Sequence, residues 1–199
     1  MKLYDFPLAP NPRRLRIYLA EKGLAIPRIT VDLRAGEQRA PEFLAKNPHG
    51  SLPVLELDDG TLLTESEAII EYLEELHPEP PMLGRTPLER AKTRRLERLC
   101  EIAVLFRAAR YVHAVVAPLP GAKPNPALAE WARSELPRGL AVLEAELGAF
   151  VAGERVTVAD CTLFAAFEFA RLAGLKLEDG YPRLAAWYER FSRRPSAKA

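Results

Sequence analysis

The chain has 199 residues, enough for one large domain or two small ones, and 48% of them are hydrophobic, which suffices for a substantial core. The 28 basic and 27 acidic residues leave a formal charge of +1, so no overall field attracts nucleic acid or an anionic membrane. No apolar run approaches the roughly 18 residues of a membrane span, and a strand follows Met1 without a secretory segment. We expect a cytoplasmic protein with no nucleic-acid or membrane partner.

The two cysteines, Cys100 and Cys161, stand singly on predicted helices, and no other Cys or His lies at metal-ligand spacing from them. We expect two buried, reduced thiols and no metal site.

Strands and helices alternate in the first part of the chain. The hydrophobic pattern predicts a strand at 2–6, a helix at 12–23, a strand at 29–33, a short helix at 41–46, strands at 53–57 and 61–64, and a helix at 65–76. This order is typical of a βαβ unit with a parallel pair, followed by a hairpin that turns at Asp58-Asp59-Gly60.

The second part of the chain shows no strand pattern. Residues 78–87 are rich in proline and predict a stiff linker between a domain at 1–77 and a domain at 88–199. Apolar stripes beyond the linker predict helices at 88–116, 126–147, 158–172 and 182–192. The tail after Pro195 is expected to be frayed.

Pro53 interrupts an apolar run that otherwise has the pattern of a strand. A proline inside a strand needs an edge, a bulge or a cis bond, and we predict that the Leu52–Pro53 bond is cis. The pair Glu65-Ser66 then opens an amphipathic helix, where unpaired N–H groups and the helix dipole favour an anion. Thr64 to Glu67 are also good capping residues, so a purely structural role is the alternative for this pair.

These segments resemble the cytosolic glutathione transferases, whose thioredoxin-like domain carries a cis-proline loop followed by Glu-Ser or Asp-Ser. The closing Glu21-Lys22-Gly23 of the first helix agrees, and Gly153 to Asp160 resembles the family's helix-capping motif. The resemblance spans almost the whole chain. It implies an α/β thioredoxin-like N-terminal domain, an all-α C-terminal helical domain, a homodimer, a role in detoxification and glutathione as co-substrate.

The resemblance also implies a set of glutathione contacts. Ser66 and its N–H would take the γ-glutamyl carboxylate, Glu65 would face the ammonium group, and the Val54 main chain would pair with the cysteinyl residue. Gln38 and Arg39 match the polar pair that reaches the glycyl carboxylate, and Ser51 matches a common Gln or Lys contact. The complete set is Gln38, Arg39, Ser51, Leu52, Pro53, Val54, Glu65 and Ser66.

Ala9 departs from the family pattern, because serine-type classes place a thiolate-supporting hydroxyl there. Some lineages, notably the nu class, use an asparagine two residues later, and Asn11 fits that position as the candidate catalytic residue. The alternative is that Asn11 only caps the helix before Pro12. Tyr4 is expected to pack in its strand.

Charged segments elsewhere suggest less specific roles. The run Arg13 to Arg16 is expected to be a solvated helix face. The acidic helix at 65–76 and the basic helix after residue 88 would, in this family, face their counterparts across a dimer axis. His113 is expected to be a partly exposed structural histidine, and the alternative is that it lines the electrophile pocket.

The resulting hypothesis is a transfer of the glutathione thiolate to a small apolar electrophile bound between the domains. The expected pocket residues are Phe6, Pro7, Ala9, Leu105, Ala109 and Val112. A glutathione-dependent disulfide reductase and a non-catalytic binding or regulatory protein are the alternatives.

Overall fold

The computed structural model describes residues 1–199. Its first part contains a four-stranded sheet in the order β2-β1-β3-β4, with a parallel β1–β2 pair and antiparallel β1–β3 and β3–β4 pairs. The strands are β1 (Lys2–Asp5), β2 (Arg28–Thr30), β3 (Val54–Glu56) and β4 (Leu62–Thr64). The predicted βαβ unit with a terminal hairpin is confirmed.

Three helices accompany this sheet: α1 (Pro10–Lys22), the short α2 (Pro41–Leu44) and α3 (Ser66–Leu76). Helix α1 begins earlier than predicted, with Ala9 as its N-cap and Pro10 as its first residue. Proline suits that position, because its fixed φ is already helical and its missing N–H would have no partner there. Asn11 therefore lies inside the first turn, and the prediction that it caps the helix is wrong.

The second part of the chain is entirely helical, as predicted. Its helices are α4 (Pro87–Leu99), α5 (Phe106–Val116), α6 (Pro126–Glu146), α7 (Val158–Arg171) and α8 (Pro182–Ser192). The predicted helix 88–116 is interrupted by a π-helical segment at Cys100–Leu105. Helix α6 packs closely there, since a Cβ added to Gly139 would lie 2.7 Å from the Cβ of Ala103. None of the helices is both long and apolar enough to cross a membrane.

One hydrophobic core runs through both parts. It joins Leu3 and Leu15 of the sheet region to Phe164 and Trp187 of the helical region. The predicted linker is anchored in it, because Met82 and Leu83 are buried in the same core. The division into domains at 1–77 and 88–199 remains a prediction.

A buried lysine ties the linker to α1. The Lys22 ammonium donates to the carbonyls of His77 and Pro80, both at 2.6 Å, and it forms an ion pair with Glu74. Glu74 also accepts hydrogen bonds from the Tyr18 hydroxyl and the Leu83 N–H. The linker is thus fixed to the first domain by charged groups as well as by apolar packing.

The start of α7 is held by a fully buried carboxylate. Asp160 accepts from the Thr157 N–H, the Val151 N–H and the Trp187 indole, each at 2.9 Å, which confirms the predicted capping box. Burial raises the pKa of Asp160 to about 6, against the opposing effect of these hydrogen bonds. The carboxylate joins α7, α8 and the preceding loop.

The tail after Pro195 is ordered, so the prediction of fraying is wrong. Residues Pro195–Lys198 form a 3-10 turn on α1, with Ser196 and Ala197 buried. Glu21 of α1 accepts from Arg194 Nε and Nη2 at 2.7 and 2.8 Å and from the Ser196 hydroxyl. These contacts join residues far apart in the sequence, so no local sequence pattern could predict them.

Candidate functional site

A cleft of about 410 Å³ lies between the two parts of the molecule. Its first wall comes from the loops after β1 and β2 and from the loop before β3, and its second wall comes from α5, α7 and the loop after α5. Of its 21 lining residues, 11 are hydrophobic, which suits an apolar molecule held by a few polar groups.

Four of the predicted glutathione contacts line this cleft: Gln38, Arg39, Ser51 and Leu52. The Gln38 side chain is buried, and its Oε1 has no hydrogen-bond partner. Asn47 Nδ2 donates to both the carbonyl and the hydroxyl of Ser51, which fixes the loop before β3. The unpaired oxygen is an acceptor, so a carboxylate could not complete its hydrogen bonding, and only the side-chain NH2 of Gln38 could bind such a group.

The Leu52–Pro53 bond is cis, as predicted. The structure differs from the prediction at Val54, which lies inside the sheet and pairs with Tyr4 on one side and Thr64 on the other. A peptide cannot add to a strand whose two flanks are already occupied. Leu52 makes no main-chain hydrogen bond and borders the cleft, so the open N–H and C=O belong to the residue before Pro53.

Glu65 and Ser66 form the turn into α3 outside the cleft lining. Glu65 has φ of 65° and ψ of 116°, a conformation that residues with a side chain rarely adopt, and such strain is concentrated at functional sites. No side chain caps α3, so the capping alternative lacks its hydrogen bond. The N–H groups of the first turn of α3 remain available for an anion.

Ser66 is hydrogen-bonded to a buried arginine, Arg14. The side chain of Arg14 is 2% exposed, and its Nε donates to the Ser66 hydroxyl at 2.8 Å. Its other nitrogens lie 2.7 Å from Glu101, 3.3 Å from Glu97 and 3.2 Å from Glu67. Burial and the negative charge of Glu67 raise the pKa of Glu97 to about 8. We call these four charged residues the Arg14 cluster.

The prediction of a solvated face for Arg13 to Arg16 is therefore wrong for two of its members. Arg16 is buried as well, and its Nη1 donates to Asp5 at 2.6 Å. The acidic partners of Arg14 could not be identified from the nearby sequence, because they lie on α3, α4 and the π segment.

Asn11 and His113 line the cleft on its two walls. Asn11 Oδ1 is buried without a partner, and Ala9 beside it also borders the cleft. His113 is exposed on the cleft wall and packs on the ring of Phe169 with centroids 6.1 Å apart, and partial desolvation of its ring lowers its pKa, which favours the neutral imidazole at pH 7. A neutral imidazole in a cleft is a proton acceptor.

His113 lines the cleft, in agreement with the alternative that it is part of the pocket. The sequence signal that favours this alternative is a helical stripe in α5, formed by Ala109, Val112, His113 and Val116, all of which line the cleft.

Four of the six expected pocket residues, Phe6, Ala9, Ala109 and Val112, line the cleft. Pro7 does not, because it is exposed and its carbonyl accepts from Arg16 Nη2 at 2.7 Å. Leu105 does not either, since it is buried in the main core.

Other sequence-based expectations concern cysteines and surface charges. Cys100 and Cys161 are free and buried, and burial raises the pKa of both thiols, which keeps them protonated. No group of three or more His, Cys, Asp or Glu side chains is arranged to hold a metal ion. The acidic α3 and basic α4 pair with each other inside one chain, through Arg94–Glu71 and through Arg90–Glu75 at 3.6 Å.

Comparisons with known proteins agree with this architecture. The family model for the glutathione S-transferase N-terminal domain matches residues 3–81, and the model for the C-terminal domain matches residues 106–195. The chain is 38% identical to glutathione S-transferase 2 of Saccharomyces cerevisiae over 100% of its own length and 88% of that protein. It is 35% identical to maleylacetoacetate isomerase of Pseudomonas aeruginosa over 92% of its length and 87% of that protein.

Among solved structures, Gtt2 from Saccharomyces cerevisiae superimposes with a TM-score of 0.92 at 36% identity, covering 100% of this chain and 99% of the other. Glutathione transferase F7 from Populus trichocarpa gives a TM-score of 0.86 at 30% identity, covering 99% and 95%. Matches of this extent in sequence and in fold show that the chain belongs to the glutathione S-transferase family.

Proposed function

We propose that this protein is a glutathione-dependent transferase that binds glutathione on its first domain and transfers the thiolate to a small apolar electrophile in the cleft. The observation that carries the proposal is the cleft itself, where the unpaired main chain of Leu52 and the polar pair Gln38 and Arg39 meet an apolar wall. Relatives named as glutathione S-transferases support it.

Each part of glutathione has a matching group on the first domain. The γ-glutamyl carboxylate would bind the N–H groups at the start of α3 and the Ser66 hydroxyl, with Glu65 facing the ammonium group. The cysteinyl residue would pair with the Leu52 main chain, which Pro53 and Val54 anchor to the sheet. The glycyl carboxylate would reach Gln38 and Arg39, beside Ser51.

The thiol must lose its proton before it reacts, because a thiol with a pKa near 8.5 is only a few per cent ionised at neutral pH. The neutral imidazole of His113 would accept that proton, and the Asn11 amide would donate a hydrogen bond to the sulfur. The thiolate then attacks the electrophilic carbon, and the leaving group departs with the bonding electron pair. The imidazolium returns its proton to water.

We propose that the protein acts in detoxification, in the cytoplasm and as a homodimer whose contact face includes α3 and α4. The ion pairs between these helices lie inside one chain, so apolar contact rather than opposite charge would hold the dimer. Sedimentation measurements over a range of protein and salt concentrations test this. A dimer should persist in high salt, and a monomer at micromolar concentration would contradict it.

The decisive experiment titrates the ultraviolet absorbance of the thiolate in bound glutathione, together with turnover of 1-chloro-2,4-dinitrobenzene. We expect His113→Gln and Asn11→Ala each to raise the pKa of the bound thiol, by about one unit for the loss of roughly 1.4 kcal/mol of anion stabilisation. Both variants should lower kcat with little change in glutathione affinity. Ala9→Ser should increase activity if its hydroxyl reaches the sulfur.

The same experiment separates the alternatives. Glutathione binding with an unshifted thiol pKa in the wild type would favour the non-catalytic protein. Turnover of mixed disulfides without turnover of the chloroarene would favour the disulfide reductase. If Asn11→Ala titrates like the wild type, Asn11 has no part in holding the thiolate.

A further inference from the structure

Arg34 is a charged cleft residue to which the proposed function gives no role. It lines the cleft, and its guanidinium makes no hydrogen bond, ion pair or cation–π contact, whereas Arg39 reaches the His49 carbonyl at 3.5 Å. No aspartate or glutamate lines the cleft. The charges of this site are therefore positive, and one of them lacks a partner.

The nearest acidic side chains in the sequence are already occupied by main-chain groups. Asp32 Oδ1 accepts from the N–H of Arg34 at 2.8 Å and from that of Ala35 at 3.3 Å. Glu37 accepts from the Asp32 N–H at 2.6 Å. These bonds shape the loop that carries Arg34 and leave its guanidinium free for a ligand.

Arg34 lies where two loops meet across the cleft. A Cβ added to Gly36 would lie 3.7 Å from Cγ of Pro120, so the loop after β2 lies close to the loop after α5. Pro118 and Leu119 of that second loop complete the cleft wall together with Leu33 and Arg34. Arg34 is thus bordered by the apolar wall assigned to the electrophile.

We propose that the cleft selects electrophiles that carry a carboxylate or a similar planar anionic group, and that Arg34 binds this group. The inference rests on the proposed function, in which α3 and the Gln38–Arg39 pair already take both carboxylates of glutathione. A guanidinium presents a planar fork of donors that fits a carboxylate in a bidentate pair.

Two matched substrates test the proposal, 4-chloro-3,5-dinitrobenzoate and 4-chloro-3,5-dinitrobenzamide. In both, the thiolate displaces chloride from the same ring carbon, and the compounds differ in charge at the opposite end. Each kcat/KM is divided by the rate constant of the reaction without enzyme, which removes the intrinsic reactivity. The wild type should prefer the benzoate by this corrected measure.

Arg34→Met should lower the corrected kcat/KM for the benzoate about 10-fold, as expected for the loss of a charge-assisted hydrogen bond, and change that for the benzamide less than about twofold. Arg34→Lys should retain part of the preference. Arg138→Met is the matched control, since Arg138 is exposed on α6 outside the cleft and its loss changes the net charge equally.

Calorimetry of the two synthetic glutathione conjugates provides a readout that does not depend on turnover. The wild type should bind the carboxylate conjugate more tightly than the carboxamide conjugate, and Arg34→Met should abolish the difference. Equal binding by the wild type would overturn the proposal. So would an Arg34→Met variant that raises the KM for glutathione and keeps the benzoate preference, because Arg34 would then hold the glycyl carboxylate. A wild type that converts neither substrate but binds the carboxylate conjugate selectively would contradict the transferase function alone.

Discussion

Ser66 connects the proposed ligand site to the Arg14 cluster. Its side chain belongs to the first turn of α3, where a carboxylate is expected, and its oxygen accepts from Arg14 Nε at 2.8 Å. The hydroxyl proton is therefore directed away from Arg14 and can be donated to a ligand. In the proposed site, this buried serine would contact both the Arg14 cluster and the ligand.

We predict that Ser66→Ala weakens glutathione binding by about 1–3 kcal/mol, the range for a hydrogen bond to a charged group. Calorimetry measures the affinity, and thermal unfolding measures how much stability is lost with the Arg14 contact. Ser134→Ala is the control, because Ser134 is at an exposed position on α6 and its hydroxyl donates to the Trp131 carbonyl. Unchanged affinity in folded Ser66→Ala would remove Ser66 from the proposed site.

Glu97 makes stability depend on pH. Because its pKa is raised to about 8 in the folded state from an ordinary value of 4.5, the folded protein keeps a proton that the unfolded chain has lost in this range. Unfolding releases that proton, so the stabilising contribution is complete below pH 4.5 and is lost as the pH rises through about 8.

We predict that the free energy of unfolding falls between pH 5 and pH 8 in the wild type and that Glu97→Gln reduces this slope. Urea unfolding at several pH values measures both. Glu89→Gln is the control, since hydrogen bonds from Arg85 and Arg155 lower the pKa of Glu89 and place its titration below this window. A wild-type slope retained in Glu97→Gln would show that another group carries the effect.

The residues of the candidate site differ in how far the sequence predicts them. Pro53 and Glu65 could be found because local patterns mark them, a proline in a strand and a Glu-Ser pair at a helix start. The role of Arg14 could not be predicted, because it comes from partners on other elements, and for His113 the sequence supports the pocket only as an alternative. Val54 was misplaced, since the order of strands in the sheet decides which main chain is open.

At the scale of elements, Asp160 links α7 to α8 and to the loop before α7. We predict that Asp160→Ala lowers the free energy of unfolding by about 2–5 kcal/mol, because it leaves several buried donors without an acceptor. Differential scanning calorimetry measures the loss, and glutathione affinity of the folded fraction should stay close to that of the wild type. Asp179→Ala, at an exposed position, is the control. Wild-type melting of Asp160→Ala would refute the structural role of the capping box.

The elements themselves could largely be predicted. Helices α6, α7 and α8 end within a residue of the positions that their apolar stripes indicate. The π segment at Cys100–Leu105 could not be predicted, since its sequence has the same apolar period as the helix around it.

At the scale of the whole molecule, the two parts are joined by the turn at Pro195–Lys198. Besides the Glu21 contacts, Arg13 Nη2 donates to the Ala197 carbonyl at 2.9 Å. We predict that Arg194→Ala lowers the free energy of unfolding by about 1–2 kcal/mol, less than for a fully buried pair because Arg194 is partly exposed. Arg193→Ala is the neighbouring control, since Arg193 pairs with Glu189 on the surface. Equal melting temperatures for the two variants would contradict this role for the turn.

The turn at Pro195–Lys198 is synthesised long after α1, the helix that it covers. Glu21 and Arg194 are 173 residues apart in the chain. At a translation rate of about 5–20 residues per second, α1 exists for roughly 10–35 s before its covering turn is synthesised. During that interval the carboxylate of Glu21 and the apolar surface under Ala197 face the solvent or a chaperone. The surface of α1 that this turn covers therefore reaches its final environment only after the turn has been synthesised.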